Sequence, residues 1–205
     1  MTTTKKKTSI EEIRRIELIQ AAHRVFMEFG LSGMTTSRIC KEAGMSPGIL
    51  AYYFKGKDEV LFGMVRYNNR ILMEDVITRM RNAKTRWQRL VAIIEGNFPD
   101  HAFERNTANA WLSVCAAAGT SSGFEKLQAI FYRRLSSNLS SALAELLPSD
   151  QINQLIFGIG VMIDGLWLRK SAGNDLSSAT AVSLVTDYIT LSLSAEDMEK
   201  LHHAY

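Results

Sequence analysis

The 205 residues, 46% of them hydrophobic, suffice for one large domain or two small ones. Only three prolines and no strand-like alternation favour an all-helical protein, no apolar run reaches the ~18 residues of a membrane span, and no apolar segment follows the basic start as a signal peptide requires, so neither a membrane protein nor a secreted precursor is expected. The net charge is only +3, but residues 1–90 carry 17 Lys and Arg against 9 Asp and Glu, whereas residues 91–205 carry 7 against 12, so the front half is the one suited to a polyanion.

Residues 1–9, with Lys5, Lys6 and Lys7, read as a flexible basic arm. A first helix is expected over 10–29, with Leu18, Ala22, Val25 and Phe29 on one face, Ile19 and Phe26 beside it, and Gly30 and Gly33 ending it. The stretch 35–57 reads as two short helices across a tight turn. Thr36 is the expected cap of the first, Gly44 its stop, and Met45 the plug of the joint. Ser46 is the expected cap of the second, with Pro47 in its opening turn, where a missing N–H does no harm. Helix, glycine turn and capped helix is the helix-turn-helix arrangement, whose second helix fits a DNA major groove.

A long helix should follow into the low eighties, with Asp58 and Glu59 near its amino end, where the helix dipole favours them. An amphipathic helix is expected over 86–98, stopped by Pro99. After a polar stretch at 100–106, residues 109–118 are apolar and small. A loop at 119–123, a helix over 124–147 ended by Pro148, and a helix over 151–170 come next. That last helix has a stripe of Ile152, Leu155, Ile156, Ile159, Ile163 and Leu166, yet Phe157, Val161 and Leu168 lie on other faces. The final helix, 177–193, has two edges as well: Val182, Val185 and Ile189, then Leu184 and Leu191. One core cannot fill all these faces, so a second copy of the chain is the expected partner in a four-helix bundle.

Leu18-Ile19-Gln20-Ala21-Ala22, Phe26, Gly30, Ala43-Gly44-Met45-Ser46-Pro47-Gly48 and Tyr53-Phe54-Lys55-Gly56-Lys57 together resemble the amino-terminal domain of TetR-type transcriptional repressors. This resemblance covers the first third of the chain. Ile94-Glu95-Gly96-Asn97-Phe98, Trp111-Leu112, Arg134-Leu135-Ser136-Ser137-Asn138-Leu139 and Ile163-Asp164-Gly165-Leu166-Trp167-Leu168-Arg169 resemble the carboxy-terminal domain of BetI-type repressors, which control choline-to-glycine-betaine genes. The resemblance implies an all-α fold: residues 10–70 as the DNA-binding domain (helix-turn-helix about 35–54) and 71–205 as a helical ligand-binding and dimerisation domain. It implies a bacterial, cytoplasmic regulator that sits at the nucleoid when bound to DNA. Its partners would be a roughly palindromic double-stranded operator, a small-molecule effector and a second copy bound through the two carboxy-terminal helices, with no membrane and no cofactor.

Within the reading pair, Pro47, Gly48, Ile49, Ala51 and Tyr52 suit base edges or thymine methyls. Thr36, Ser37, Ser46, Tyr53 and Lys57 suit phosphates. Choline has no N–H to donate, so aromatic faces and a nearby negative charge must hold it. Trp111 and Trp167 lead that set, with Phe98 and Phe131 beside them and Glu95 and Asp164 as counter-charges. Arg169, or an arginine of a second copy of the chain, is an alternative partner for Asp164. BetI-type chains carry further aromatics where Val114 and Cys115 stand here, and serine and histidine where Ala51 and Tyr52 stand. A different effector and a ligand-independent dimeric DNA binder therefore remain alternatives. No catalytic or metal residues are expected: there is no Gly-rich phosphate loop, no nucleophile elbow and no His-Cys cluster, and His23, His101, His202 and His203 lack partners that the sequence names. Cys40 and Cys115 lack metal-ligand spacing and fit a reduced compartment.

Overall fold

Every regular element in the computed structural model, which describes residues 10–118 and 122–203, is an α-helix. The expected basic arm and residues 119–121 of the expected loop lie outside the described residues. The chain divides into two units, Met1–Tyr67 and Asn68–Tyr205.

The amino-terminal unit holds α1 (Ile10–Gly33), α2 (Thr36–Ala43), α3 (Pro47–Tyr53) and the start of α4 (Lys57–Asn82). Leu18, Ala22, Val25 and Phe26 of α1 are buried with Ile39, Leu50, Phe54, Leu61 and Met64. The first helix runs past the expected end. Gly30 kinks it at φ 66°, a left-handed conformation that glycine adopts cheaply, and the chain stays helical to Gly33. Phe29 is consequently exposed instead of in the core, under the guanidinium of Arg38 at 4.5 Å.

The cap of α2 is Thr35 rather than Thr36. Thr35 Oγ1 accepts from Arg38 N at 3.3 Å, and Thr36 is the first helical residue. Such a cap contributes about 1 kcal/mol. Gly44, at φ 65°, ends α2: its N–H donates to Lys41 O, and Met45 N donates to Cys40 O at 2.8 Å. This crossed pair satisfies carbonyls that the helix end leaves open. Ser46 occupies the cap position of α3 with an extended backbone, but its hydroxyl makes no cap bond; Pro47 follows at the first turn.

The second unit holds the rest of α4, then α5 (Arg86–Asn97), α6 (Arg105–Ala118), α7 (Ser122–Leu143), α8 (Ser149–Ser171), α9 (Ser178–Ser192) and α10 (Ala195–His202). Ile152, Leu155, Ile156, Ile159, Ile163, Leu166 and Trp167 place α8 in the middle of the core. Each such side chain contributes roughly 1.5–3 kcal/mol on burial. By length and hydropathy α8 passes for a membrane span, which the sequence reading did not register; here its apolar stripe packs inside the unit. Gly158 gives α9 its approach to α8, since a Cβ there would stand 2.1 Å from the Tyr188 hydroxyl.

Three boundaries differ from expectation. Ser122 and Gly123 belong to α7 and not to the loop before it. Helix α7 ends at Leu143, before Leu147, in a turn that carries Glu145 at φ 68°. The chain also forms α10, capped by Ser194 Oγ accepting from Asp197 N at 3.1 Å. Leu201 of α10 is fully buried, and the His202 ring lies 5.3 Å from Trp87. Eight residues make too short a periodic pattern to announce a helix, and packing supplies what propensity does not.

Candidate nucleic-acid interface and effector cavity

In the amino-terminal unit, Leu50 and Phe54 turn one side of α3 inward, which leaves Pro47, Gly48, Ile49, Ala51 and Tyr52 exposed. Ser46 and, on α2, Thr36 and Ser37 are exposed as well; Tyr53 and Lys57 are half-buried. A Cβ at Gly48 would meet nothing within 4 Å. The fold does not require glycine there, so its effect is a bare backbone in the opening turn of the reading helix.

Arg15 of α1 braces the far end of α3. It donates to Tyr53 O at 2.7 Å and to Glu59 Oε1 at 3.0 Å, and it lies 4.3 Å above the Phe54 ring. Glu59 also accepts from Lys55 N at 2.8 Å, and that backbone bond, with Arg15 behind it, holds its carboxyl below the usual range. Tyr52 is 72% exposed; its hydroxyl donates to Glu11 Oε1 at 3.3 Å, and its ring meets Tyr53 edge-on at 5.0 Å. The Glu11 charge raises the Tyr52 phenol above its ordinary pKa. Neither Arg15 nor Glu11 was among the residues that the sequence singled out, because their reach across 38 and 41 residues depends on the fold.

The second unit contains a partly open cavity of about 140 Å³, where one water needs roughly 10–15 Å³. Its lining comes from five helices and includes Leu72 and Met73 of α4, Asn97 of α5, Trp111 of α6, Phe131 and Arg134 of α7, and Asp164 and Trp167 of α8. The Trp111 and Phe131 rings lie 5.3 Å apart. Trp167 is fixed by donating Nε1–H to Asn97 O at 3.2 Å and by the edge-on ring of Phe103 at 4.8 Å.

Asp164 is half-buried, and its Oδ2 accepts from the Tyr132 hydroxyl at 2.6 Å. Burial pushes its carboxyl above the ordinary range, against the pull of the Tyr132 bond. The Tyr132 phenol is raised too, by burial first and then by its bond to Asp164. Burial pushes the Cys115 thiol up to about 11, with help from the Asp164 charge, so it stays a thiol at neutral pH. A half-buried carboxylate beside three aromatic rings suits a cation that lacks N–H donors.

Of the residues singled out for the ligand, Trp111, Trp167, Asp164 and Phe131 meet in this lining. Glu95 stands outside it and pairs with Arg79 at 3.2 Å. Phe98 is buried in the core, 5.1 Å from Phe103 and 6.4 Å from Trp167. Asp164 bonds to Tyr132 and forms no ion pair with Arg169. Among the described residues no three His, Cys, Asp or Glu side chains converge as for a metal ion.

Residues 87–194 match the family of BetI-type transcriptional repressors in their carboxy-terminal region, and residues 18–64 match the bacterial regulatory proteins of the tetR family. The HTH-type transcriptional regulator BetI of Brucella suis is 38% identical over 191 residues, which cover 93% of this chain and 96% of that protein. BetI of Rhizobium meliloti is 34% identical over 190 residues, covering 92% and 94%. The chain belongs to the TetR family of transcriptional repressors, in its BetI type. It is a regulator and not an enzyme.

Solved structures share the fold of this TetR-family repressor. A TetR transcription regulator from Haloarcula marismortui superposes with a TM-score of 0.79 at 19% identity, over 89% of this chain and 99% of its own. A transcriptional regulator from Saccharomonospora viridis, in complex with choline, gives 0.74 at 19% identity over 86% and 95%. Against the BetI-type pattern, Val114 is buried and Cys115 half-buried here, and neither lines the cavity. Tyr132 is one of the aromatics that the sequence offers in this half; the roles of Arg134 and α4 in the lining escaped the sequence reading. The one available signal was the spacing of Phe131, Arg134 and Asn138, which puts all three on one face of α7.

Proposed function

We propose that this repressor binds its operator as a dimer and is released by a small quaternary ammonium effector held in the α4–α8 cavity. The observation that carries the effector class is the meeting of Trp111, Phe131 and Trp167 with the half-buried Asp164. Aromatic faces and a carboxylate attract a trimethylammonium group without asking it for a hydrogen bond. The choline held by the regulator from Saccharomonospora viridis supports the same chemistry.

Each reading helix α3 enters a major groove. Pro47, Gly48, Ile49, Ala51 and Tyr52 face bases, while Thr36, Ser37, Ser46, Tyr53 and Lys57 hold phosphates. Two copies one DNA turn apart read a roughly palindromic site. The exposed apolar edges support the dimer: Phe157 and Leu191 are 75% and 87% exposed, with Val161, Leu168 and Leu184 beside them. Gly160 and Gly165 face open space, so a partner helix approaches α8 closely there. Residues 10–70 serve as the DNA-binding domain and 71–205 as the effector and dimer domain. The protein works in the cytoplasm, at the nucleoid when on DNA.

Release requires the effector to prefer the DNA-incompetent state. Moving the population from 99% competent to 1% takes a preference of roughly 10⁴-fold. Two cavities per dimer divide this into roughly 100-fold per site, since their preferences multiply. Helix α4 is the element suited to carry the shift, because it is continuous from Lys57 to Asn82 and lines the cavity with Asn69, Leu72, Met73 and Val76.

A gel shift on DNA upstream of the repressor's own gene, with and without millimolar choline and related trimethylammonium compounds, tests this. A complex dissolved by such a compound is the expected result. A complex indifferent to all of them refutes the effector class and leaves the DNA function. Absence of any complex at low salt refutes the assigned DNA contacts.

A further inference from the structure

Tyr52 on α3 and Glu11 in the first turn of α1 meet at the surface of the amino-terminal unit. Tyr52 is 72% exposed, so core packing does not fix its ring. Two contacts orient it instead. Its ring meets Tyr53 edge-on at 5.0 Å, and Arg15 holds the Tyr53 carbonyl at 2.7 Å. Its hydroxyl donates to Glu11 Oε1 at 3.3 Å. That bond is long for an O–H···O pair, so it gives direction more than stability. Glu11 is open to accept it. Arg14 pairs with Glu17 at 2.8 Å and Arg15 with Glu59 at 3.0 Å, and among the described residues no Lys or Arg pairs with Glu11.

A phenol has one proton, and its oxygen also accepts. With the proton turned toward Glu11, the Tyr52 oxygen offers DNA only an acceptor. Phosphate oxygens are acceptors too, so the phenol has nothing to give them, and the Glu11 charge repels them. The major groove does carry donors, the amino groups on N6 of adenine and N4 of cytosine, whereas thymine and guanine show only acceptors there. A hydroxyl free to turn its proton outward meets either kind of edge, as serine and threonine do. The carboxylate removes that freedom.

We infer that Glu11 is a positioning residue for base selection: it holds the Tyr52 proton, so that Tyr52 selects a base with an amino group in the major groove, adenine or cytosine. This rests on the reading that α3 meets bases. It gives part of the selectivity of α3 to a side chain 41 residues away on another helix.

Sites selected from random duplex DNA by the full-length wild-type protein, Tyr52→Phe and Glu11→Ala, at one fixed salt concentration, test the inference. Wild-type sites are expected to require adenine or cytosine at one position of each half-site. Tyr52→Phe should lose that requirement and keep the others. Glu11→Ala should admit thymine and guanine there, while binding every sequence more tightly because a negative charge beside the phosphates is gone. Preference at that position, not affinity, is therefore the readout. Replacing the required base by its analogue without the amino group (purine for adenine, 2-pyrimidinone for cytosine) should weaken wild-type binding roughly three- to tenfold and leave Tyr52→Phe unaffected. Thermal melts check that both variants fold. A Tyr52→Phe protein that keeps the wild-type preferences, whatever its affinity, overturns the inference, and so does a Glu11→Ala protein that keeps them. In both cases a defined wild-type site leaves the reading of α3 intact. Selection of no defined site by the folded wild-type protein overturns both.

Discussion

Gly96 of α5 lies close against Val76 of α4. A Cβ there would lie 2.3 Å from Val76 Cγ2, whereas carbon atoms rest at about 3.5–4.0 Å. Gly96→Ala thus forces an adjustment of more than ~1 Å. Val76 is buried, and a β-branched side chain in a helix has one strongly preferred rotamer, so α4 and α5 must separate instead. Overpacking of this kind costs about 1–3 kcal/mol. The better helix propensity of alanine offsets about 0.5–1 kcal/mol. The net expectation is a loss of up to about 2.5 kcal/mol, centred on about 1 kcal/mol, or roughly 2–4 °C in Tm per kcal/mol for a chain of this size. Thermal melts of the parent, Gly96→Ala, Val76→Ala and the double variant, at one protein concentration, measure it. Val76→Ala removes the obstructing methyls, so the double variant should be at least about 1 kcal/mol more stable than the sum of the single effects predicts. A Gly96→Ala protein as stable as its parent, together with simple additivity, refutes the reasoning.

Three further outcomes are expected. The affinity of a purely cationic ligand should fall as pH drops through the Asp164 pKa, which lies above the ordinary 3.8. Only the carboxylate attracts the cation, so binding is full above that pKa and lost below it; Asp164→Asn should flatten the profile in calorimetry run across pH. Gly48→Ala should leave the melting temperature unchanged or slightly higher, because its Cβ meets nothing, yet weaken operator binding roughly tenfold by a factor worth about 1.4 kcal/mol, read by gel shift. Phe157→Asp should turn a dimer into a monomer in sedimentation while the helical signal persists, since Phe157 is 75% exposed within one chain.

What was legible in the sequence was local. Gly44, Met45 and Pro47 announce the turn between α2 and α3 because left-handed φ and a missing N–H are properties of single residues. The cap was misplaced by one residue because Thr35 and Thr36 carry the same hydroxyl, and only the backbone tells which is extended. Trp111, Phe131, Trp167 and Asp164 were singled out as chemistry without geometry. Phe98 has the same chemistry, but its position at the end of α5 sends it into the core. Glu95 finds Arg79 across 16 residues, a pairing that depends on how α4 lies on α5. The contribution of α4 to the cavity follows from packing between distant segments and leaves no local signature, whereas the spacing of Phe131, Arg134 and Asn138 on one face of α7 is legible in the sequence.

The packing of α10 bears on how the effector response is set. It lies against α5, with Leu201 fully buried and His202 beside Trp87. Helix α5 is also the one that brings Ile93, Gly96 and Asn97 to the cavity wall, and its Asn97 carbonyl holds the indole of Trp167. The last helix is therefore a buttress behind the wall, not an appendage. Under the proposed function, Leu201→Ala is expected to change effector affinity although no lining residue is altered, as calorimetry would show.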